Sequence, residues 1–211
     1  MFNDRYGLTQ AVLDRRKTMT RRLIPANLYN CTDFSENPPM FHDSNFDWHT
    51  LTKAACAFKV GEIVAVAQCY ASIVDELEDP KNFVCMEHWE SASPKRAHYC
   101  SFLHHPGMTN KMFVSADEMP HQIRITNVRV EKLQDISDED CIAEGIYKDD
   151  GKTYFNGYAF QITRDQYGNM LSKQWFRTPR EAYAALIDRI SGMGTWESNP
   201  FVFVYEFELV K

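Results

Sequence analysis

Near the end of the chain, Phe201 to Leu209 alternates Phe, Phe, Tyr, Phe and Leu with Val, Val, Glu and Glu. A period of two commits this segment to a β-strand, because successive side chains of a strand point to opposite faces. A strand needs partners. Ile63-Val64-Ala65-Val66-Ala67 reads as a compact buried strand entered through a turn at Phe58-Lys59-Val60-Gly61-Glu62. Gln122 to Val130 alternates around Ile123, Ile125 and Val128. Leu23-Ile24-Pro25 reads as the start of a strand halted by proline. A hairpin is expected from Tyr154–Ile162 against Met170–Phe176, turning at Asp165 to Asn169.

Helices are fewer and shorter. Gly7 to Arg16 has Leu8, Val12 and Leu13 at helical spacing and is closed by basic residues. Ser137 is placed to cap a short helix that opens with acids, carries Cys141, Ile142 and Glu144, and stops at Gly145. Thr178-Pro179 starts the clearest helix, with Ala182, Leu186 and Ile190 on one stripe. Strands outnumber long helices, so the pattern predicts a mixed β-rich barrel or α+β domain. A single domain spanning 1–211 is expected, with irregular insertions at about 26–57 and 71–112. Scattered rings (Tyr29, Phe34, Phe41, Phe46, Trp48) predict that the first insertion packs against itself, and a helical turn is expected near Ile73 to Leu77.

The chain is acidic, with a net charge of -6, which disfavours broad binding to a nucleic-acid backbone. Against that background Arg15-Arg16-Lys17-Thr18-Met19-Thr20-Arg21-Arg22 concentrates positive charge around two reactive side chains, Lys17 and Thr20. Such a run marks either a local site for a phosphate or carboxylate, or a solvated helix end favoured by the dipole. No apolar run reaches the roughly 20 residues of a membrane span, and the first residues lack the apolar core of a signal peptide, which predicts a cytoplasmic protein. The six cysteines are then expected as thiols. Cys85-x-x-His88 with His98-x-Cys100 and His104-His105 has metal-ligating residue types, but the second spacing is tight for a tetrahedral ion, and no metal or cofactor is expected.

Several segments together resemble the ASCH family, a branch of the PUA-like β-barrels. The family signature, Gly-x-Lys-x-x-x-x-Arg, is matched by Lys17 and Arg22, with Arg15 in place of the glycine. Phe58 to Val64 is similar to the family's Gly-Asp turn and following strand, with Glu62 for the aspartate. Val128 to Ser137 with Ala143-Glu144-Gly145-Ile146, and Gly194-Thr195-Trp196 with Asn199-Pro200, resemble its larger phage-type members.

The resemblance implies a PUA-like barrel whose basic cleft binds RNA, a nucleoside or a nucleotide. Small relatives hydrolyse the amide of N4-acetylcytidine with a lysine, a threonine and a glutamate, which fall on Lys17, Thr20 and Glu144. In that chemistry a lysine of lowered pKa takes the proton of the threonine hydroxyl, and the glutamate shuttles it to the leaving amine. Arg16, Arg21 and Arg22 are the expected ligand-binding cations, with Trp196 as a stacking ring and Asn199 as a pocket amide. Taken as ordinary residues, Lys17 is an exposed lysine, Glu144 a helix-end acid paired with an arginine, Trp196 core and Asn199 a turn residue. RNA or nucleoside binding is the first expectation and amide hydrolysis the second.

Overall fold

The computed structural model describes residues 2–76, 94–148, 157–160 and 174–210. They divide into two compact units, one of residues 65–122 and a larger one of residues 3–64 with 123–210. Along the chain run α1 (Leu8–Leu13), β1 (Met19–Leu23), α2 (Ala26–Tyr29), β2 (Thr32–Asp33), β3 (Met40–His42), β4 (Trp48–Thr50), α3 (Leu51–Ala55) and β5 (Ile63–Ala65). After them come α4 (Tyr70–Glu76), α5 (Pro94–Cys100), β6 (Gln122–Lys132), α6 (Asp138–Ala143), β7 (Tyr147–Lys148), β8 (Tyr158–Ala159), α7 (Pro179–Ser191), α8 (Thr195–Ser198) and β9 (Phe201–Leu209). No helix among the described residues is long and apolar enough to cross a membrane.

The architecture is α+β. Its main sheet, in the order β1-β9-β6-β5, curls into an antiparallel half-barrel with short helices around it. Strand β9 lies between β1 and β6, which explains its composition. Val202 and Val204 are buried on one face and Phe203, Tyr205 and Phe207 on the other, so both faces carry apolar side chains. The segments expected near 58–67, 122–130 and 200–209 thus share one sheet. Strand β5 is shorter than expected and lies at the sheet edge, and Ile63 is 46% exposed.

The basic run is organised differently from its sequence reading. Helix α1 stops at Leu13, and β1 ends at Leu23 instead of beginning there. The junction is a left-handed turn at Arg15, whose φ is 59°. The Arg16 N–H donates to Ala11 O at 2.9 Å and the Arg15 N–H to Val12 O at 2.9 Å. This is a Schellman-type helix end, and its left-handed position favours glycine. Arg15, where the signature has glycine, thus adopts a conformation that glycine takes without strain. Relief of the Cβ clash outweighs the extra unfolded-chain entropy of glycine and one exposed hydrogen bond from Arg15 to Leu209 O. Arg15→Gly is therefore expected to raise unfolding free energy by about 0.5 kcal/mol, read from chemical denaturation.

Residues 26–57, expected as irregular chain, hold α2, α3 and a small sheet in the order β2-β3-β4. Its strands are too short for a period of two to show in the sequence. The rings pack partly on one another, Tyr29 against Phe34 with centroids 4.9 Å apart, and partly on β9, where Phe34 stacks on Phe201 at 4.2 Å and the Tyr29 hydroxyl accepts from Phe201 N at 2.7 Å, while Phe46 and Trp48 stay exposed. The expected turn near Ile73 is the longer helix α4. On α7, Tyr183 and Ile187 join Ala182 and Leu186 in the buried stripe, while Ile190 is 40% exposed. Of the expected hairpin, β8 pairs with β7 and Tyr158 bridges Phe176; the rest, like Cys85 and His88, lies outside the described residues.

Candidate functional site

Helix α6 brings the site together. Ser137 Oγ accepts from Asp140 N at 3.1 Å, fixing the first turn so that Asp140 points toward the sheet. The helix ends at Gly145, whose φ is +106°. A Cβ there would lie 3.1 Å from Leu8 Cδ2 and 3.6 Å from Lys17 Cδ, so glycine lets the end of α6 press on α1 and on Lys17. A backbone bond from Thr18 N to Ala143 O, 2.9 Å, joins the same two segments. Gly145→Ala is expected to cost about 1–2 kcal/mol through the left-handed backbone alone, measured as a shift in the urea midpoint.

Lys17 is thereby driven into the interior, only 2% exposed, against Glu144 at 4%. Its Nζ donates to Glu144 Oε2 at 2.6 Å, to Glu144 O at 2.7 Å and to Met19 O at 2.7 Å. An ammonium has three donors, and all three are used. Arg21 lies alongside. It reaches Glu144 Oε1 at 3.3 Å, Asp140 Oδ2 at 2.6 Å and Glu131 Oε1 at 2.5 Å. Arg129 extends the network to the second oxygen of Glu131, to Asp140, both at 2.9 Å, and to Glu206. Three cations (Lys17, Arg21, Arg129) meet four carboxylates (Glu131, Asp140, Glu144, Glu206), leaving one negative charge in excess. At this cluster the cations of the expected basic site are outnumbered by carboxylates.

Burial lowers the pKa of Lys17, and contact with Glu144 only partly restores it. Burial also works against charge on Arg21, but Glu144, Asp140 and Glu131 outweigh it and raise its pKa. Beside the cluster, burial pushes the Cys141 thiol up to about 12, leaving it protonated and inert at neutral pH. The Tyr183 hydroxyl, its pKa also raised by burial, is buried and has no hydrogen-bond partner among the described residues. Sequence reasoning missed Tyr183, whose only signal was its place beside Ala182 on the α7 stripe.

The other expected site residues fall elsewhere. Strand alternation turns Thr20 and Arg22 to the face of β1 opposite Met19 and Arg21. Thr20 pairs with Tyr205 and Arg22 with Phe203, and the Arg22 guanidinium lies over Phe58, 5.4 Å from the ring centroid. The structure thus joins Lys17 to Glu144 but does not bring Thr20 to them. Arg16 is exposed and paired with Asp14 at 2.9 Å. Trp196 packs edge-on against Tyr183 with Arg180 above its ring. Asn199, in a left-handed turn, accepts from Gln134 N at 2.8 Å. These last two brace the corner between α7, α8 and the sheet. Among the described residues no group of three or more His, Cys, Asp or Glu is placed to hold a metal ion.

The fold and site define an α+β protein with a buried ion cluster on one face of its curled sheet and an arginine–aromatic pair on the other. No family model, curated protein or solved structure matches the chain.

Proposed function

We propose that this chain is a PUA-like barrel domain of the ASCH kind that binds RNA, a nucleoside or a nucleotide on the face of β1 carrying Thr20 and Arg22. The supporting observation is Arg22. Arg15, Arg16, Lys17 and Arg21 are all engaged with protein acceptors. The Arg22 side chain has no hydrogen bond or ion pair among the described residues and lies half-buried over Phe58. A guanidinium over a ring leaves a cation for a phosphate and planar surfaces for a base, with the Thr20 hydroxyl on the same face. The acidity of the remaining surface favours a nucleoside or a single extruded base over a long duplex footprint.

The second reading, hydrolysis of an acylated nucleoside, is favoured by the lowered pKa of Lys17. Against it, the Lys17 amine is saturated by three acceptors, and Thr20 faces away across the strand. Titration of the purified chain with cytidine, N4-acetylcytidine, cytidine monophosphate and a short single-stranded RNA separates the two. Binding is expected to weaken about tenfold or more in Arg22→Ala, to fall with added salt, and to proceed without acetate release. Absence of binding across the panel, or unchanged binding in Arg22→Ala, would overturn the first reading. Acetate release lost in both Lys17→Ala and Thr20→Ala would establish the second.

A further inference from the structure

The β3–β4 hairpin displays aromatic rings that the protein itself leaves uncovered. Its register sets His42 opposite Trp48, so the two rings share one face of the small sheet. Trp48 is 55% exposed and Phe46, in the connecting turn, 77% exposed. The His42 ring holds them as a group, edge-on to Trp48 at 5.3 Å and stacked on Phe46 at 5.7 Å. Elsewhere the chain lays its own cations over aromatic faces, Arg22 over Phe58, Lys132 over Phe201 and Arg180 over Trp196. Among the described residues no lysine or arginine lies over Phe46 or Trp48.

Phe46 is held outward against its backbone preference. Its φ of 64° is left-handed, a strained region for a bulky side chain. Asp43 fixes the turn: its Oδ1 accepts from Asn45 N at 2.8 Å and Asp47 N at 3.1 Å, and its carbonyl from Phe46 N at 3.0 Å. A strained residue that buries little returns nothing to folding, so the strain points to a contact made outside the chain.

Charge narrows what that contact is. Asp43 and Asp47 flank Phe46, and neither has a lysine or arginine partner among the described residues. Backbone bonds from Asp47 and Asn45 hold the Asp43 carboxyl below its ordinary range, which keeps it ionised at neutral pH. The surrounding insertion, residues 26–57, carries Asp33, Glu36, Asp43 and Asp47 against Lys53, and stays net negative even with both His42 and His49 protonated. An aromatic face beside carboxylates attracts a cation and repels a phosphate. A guanidinium suits it better than an ammonium, because it stacks flat on a ring and keeps N–H donors at its edge for a carboxylate.

We infer that the β3–β4 hairpin is a docking surface for a basic segment of a partner protein, an arginine of which stacks on Trp48 and Phe46 and pairs with Asp47. Docking there does not depend on nucleoside binding at Arg22.

The test titrates the full chain with a capped pentapeptide carrying two arginines between glycines, with its lysine and citrulline counterparts, and with a short single-stranded RNA. Citrulline keeps the planar shape and removes the charge. Affinity is read by calorimetry and by the NMR shift of the Trp48 indole. The arginine peptide is expected to bind about tenfold tighter than the citrulline peptide and about threefold tighter than the lysine peptide. Trp48→Ala is expected to weaken it about fivefold, and Asp47→Asn about threefold. Phe46→Gly, which relieves the left-handed strain, is expected to weaken it about threefold with a urea midpoint no lower than the parent's. Equal affinity for the arginine peptide and either counterpart, or no binding of the arginine peptide, would overturn the inference. So would peptide binding unchanged in Trp48→Ala and Phe46→Gly, or RNA binding lost in Trp48→Ala, which assigns the rings to a base. All three variants change exposed side chains, so if one fails to fold the others still decide.

Discussion

Replacing Lys17 by methionine alone, or Glu144 by leucine alone, is expected to cost about 3–5 kcal/mol, while replacing both together restores most of that loss. Each single change strands the partner's charge in an interior where both residues are almost wholly buried. The double change removes both charges and fills similar volume with apolar atoms. Recovery is incomplete because Lys17 Nζ also satisfies the carbonyls of Met19 and Glu144, and because Glu144 accepts from Arg21. Against a total stability of about 5–15 kcal/mol, the single variants lie close to unfolding. Equilibrium denaturation of the four proteins gives the coupling energy, expected at about 4 kcal/mol or more. A coupling near zero would mean that the two side chains do not form a buried pair.

The next largest effect is expected at Arg21. Its guanidinium contacts Glu131, Asp140 and Glu144, carboxylates contributed by the end of β6 and by the α6 segment. Arg21→Leu leaves these acids crowded together with Lys17 and Arg129 as the remaining cations, at an expected cost of about 3 kcal/mol. Arg21→Lys keeps the charge but loses the planar fork that spans several acceptors, and is expected to cost roughly half as much. Thermal unfolding of both variants checks the order; equal loss in the two would show that charge alone matters there.

What could be read from the sequence was the structure carried by local pattern. The alternation of Phe201–Leu209 and Gln122–Val130, the Ser137 cap and the Thr178-Pro179 start all involve neighbours within a few residues. Strand β1 gave no such pattern, since Met19-Thr20-Arg21-Arg22-Leu23 places a buried arginine where alternation would call for an apolar side chain. Arg21 is accommodated only because carboxylates more than a hundred residues away surround it. Thr20, like Lys17 as a site residue, was reached through the family resemblance, and in the strand its side chain turns to the face opposite Met19 and Arg21. Glu144 was reached through the family resemblance, because nothing local to Cys141–Gly145 points to Lys17. In the smaller unit His98 meets Glu118 and His121 meets Glu76, 20 and 45 positions apart, beyond the reach of any periodicity.

The central claim is that the ion cluster braces β1 while ligand is held on the opposite face at Arg22. It is tested most directly by comparing nucleoside and RNA binding in the apolar double replacement, Lys17→Met with Glu144→Leu, and in Arg22→Ala. The folded double variant is expected to bind like the parent chain, and Arg22→Ala to bind about tenfold more weakly or worse. Loss of binding in the double variant, with Arg22→Ala unaffected, would place the ligand at Lys17 and Glu144 and contradict the account.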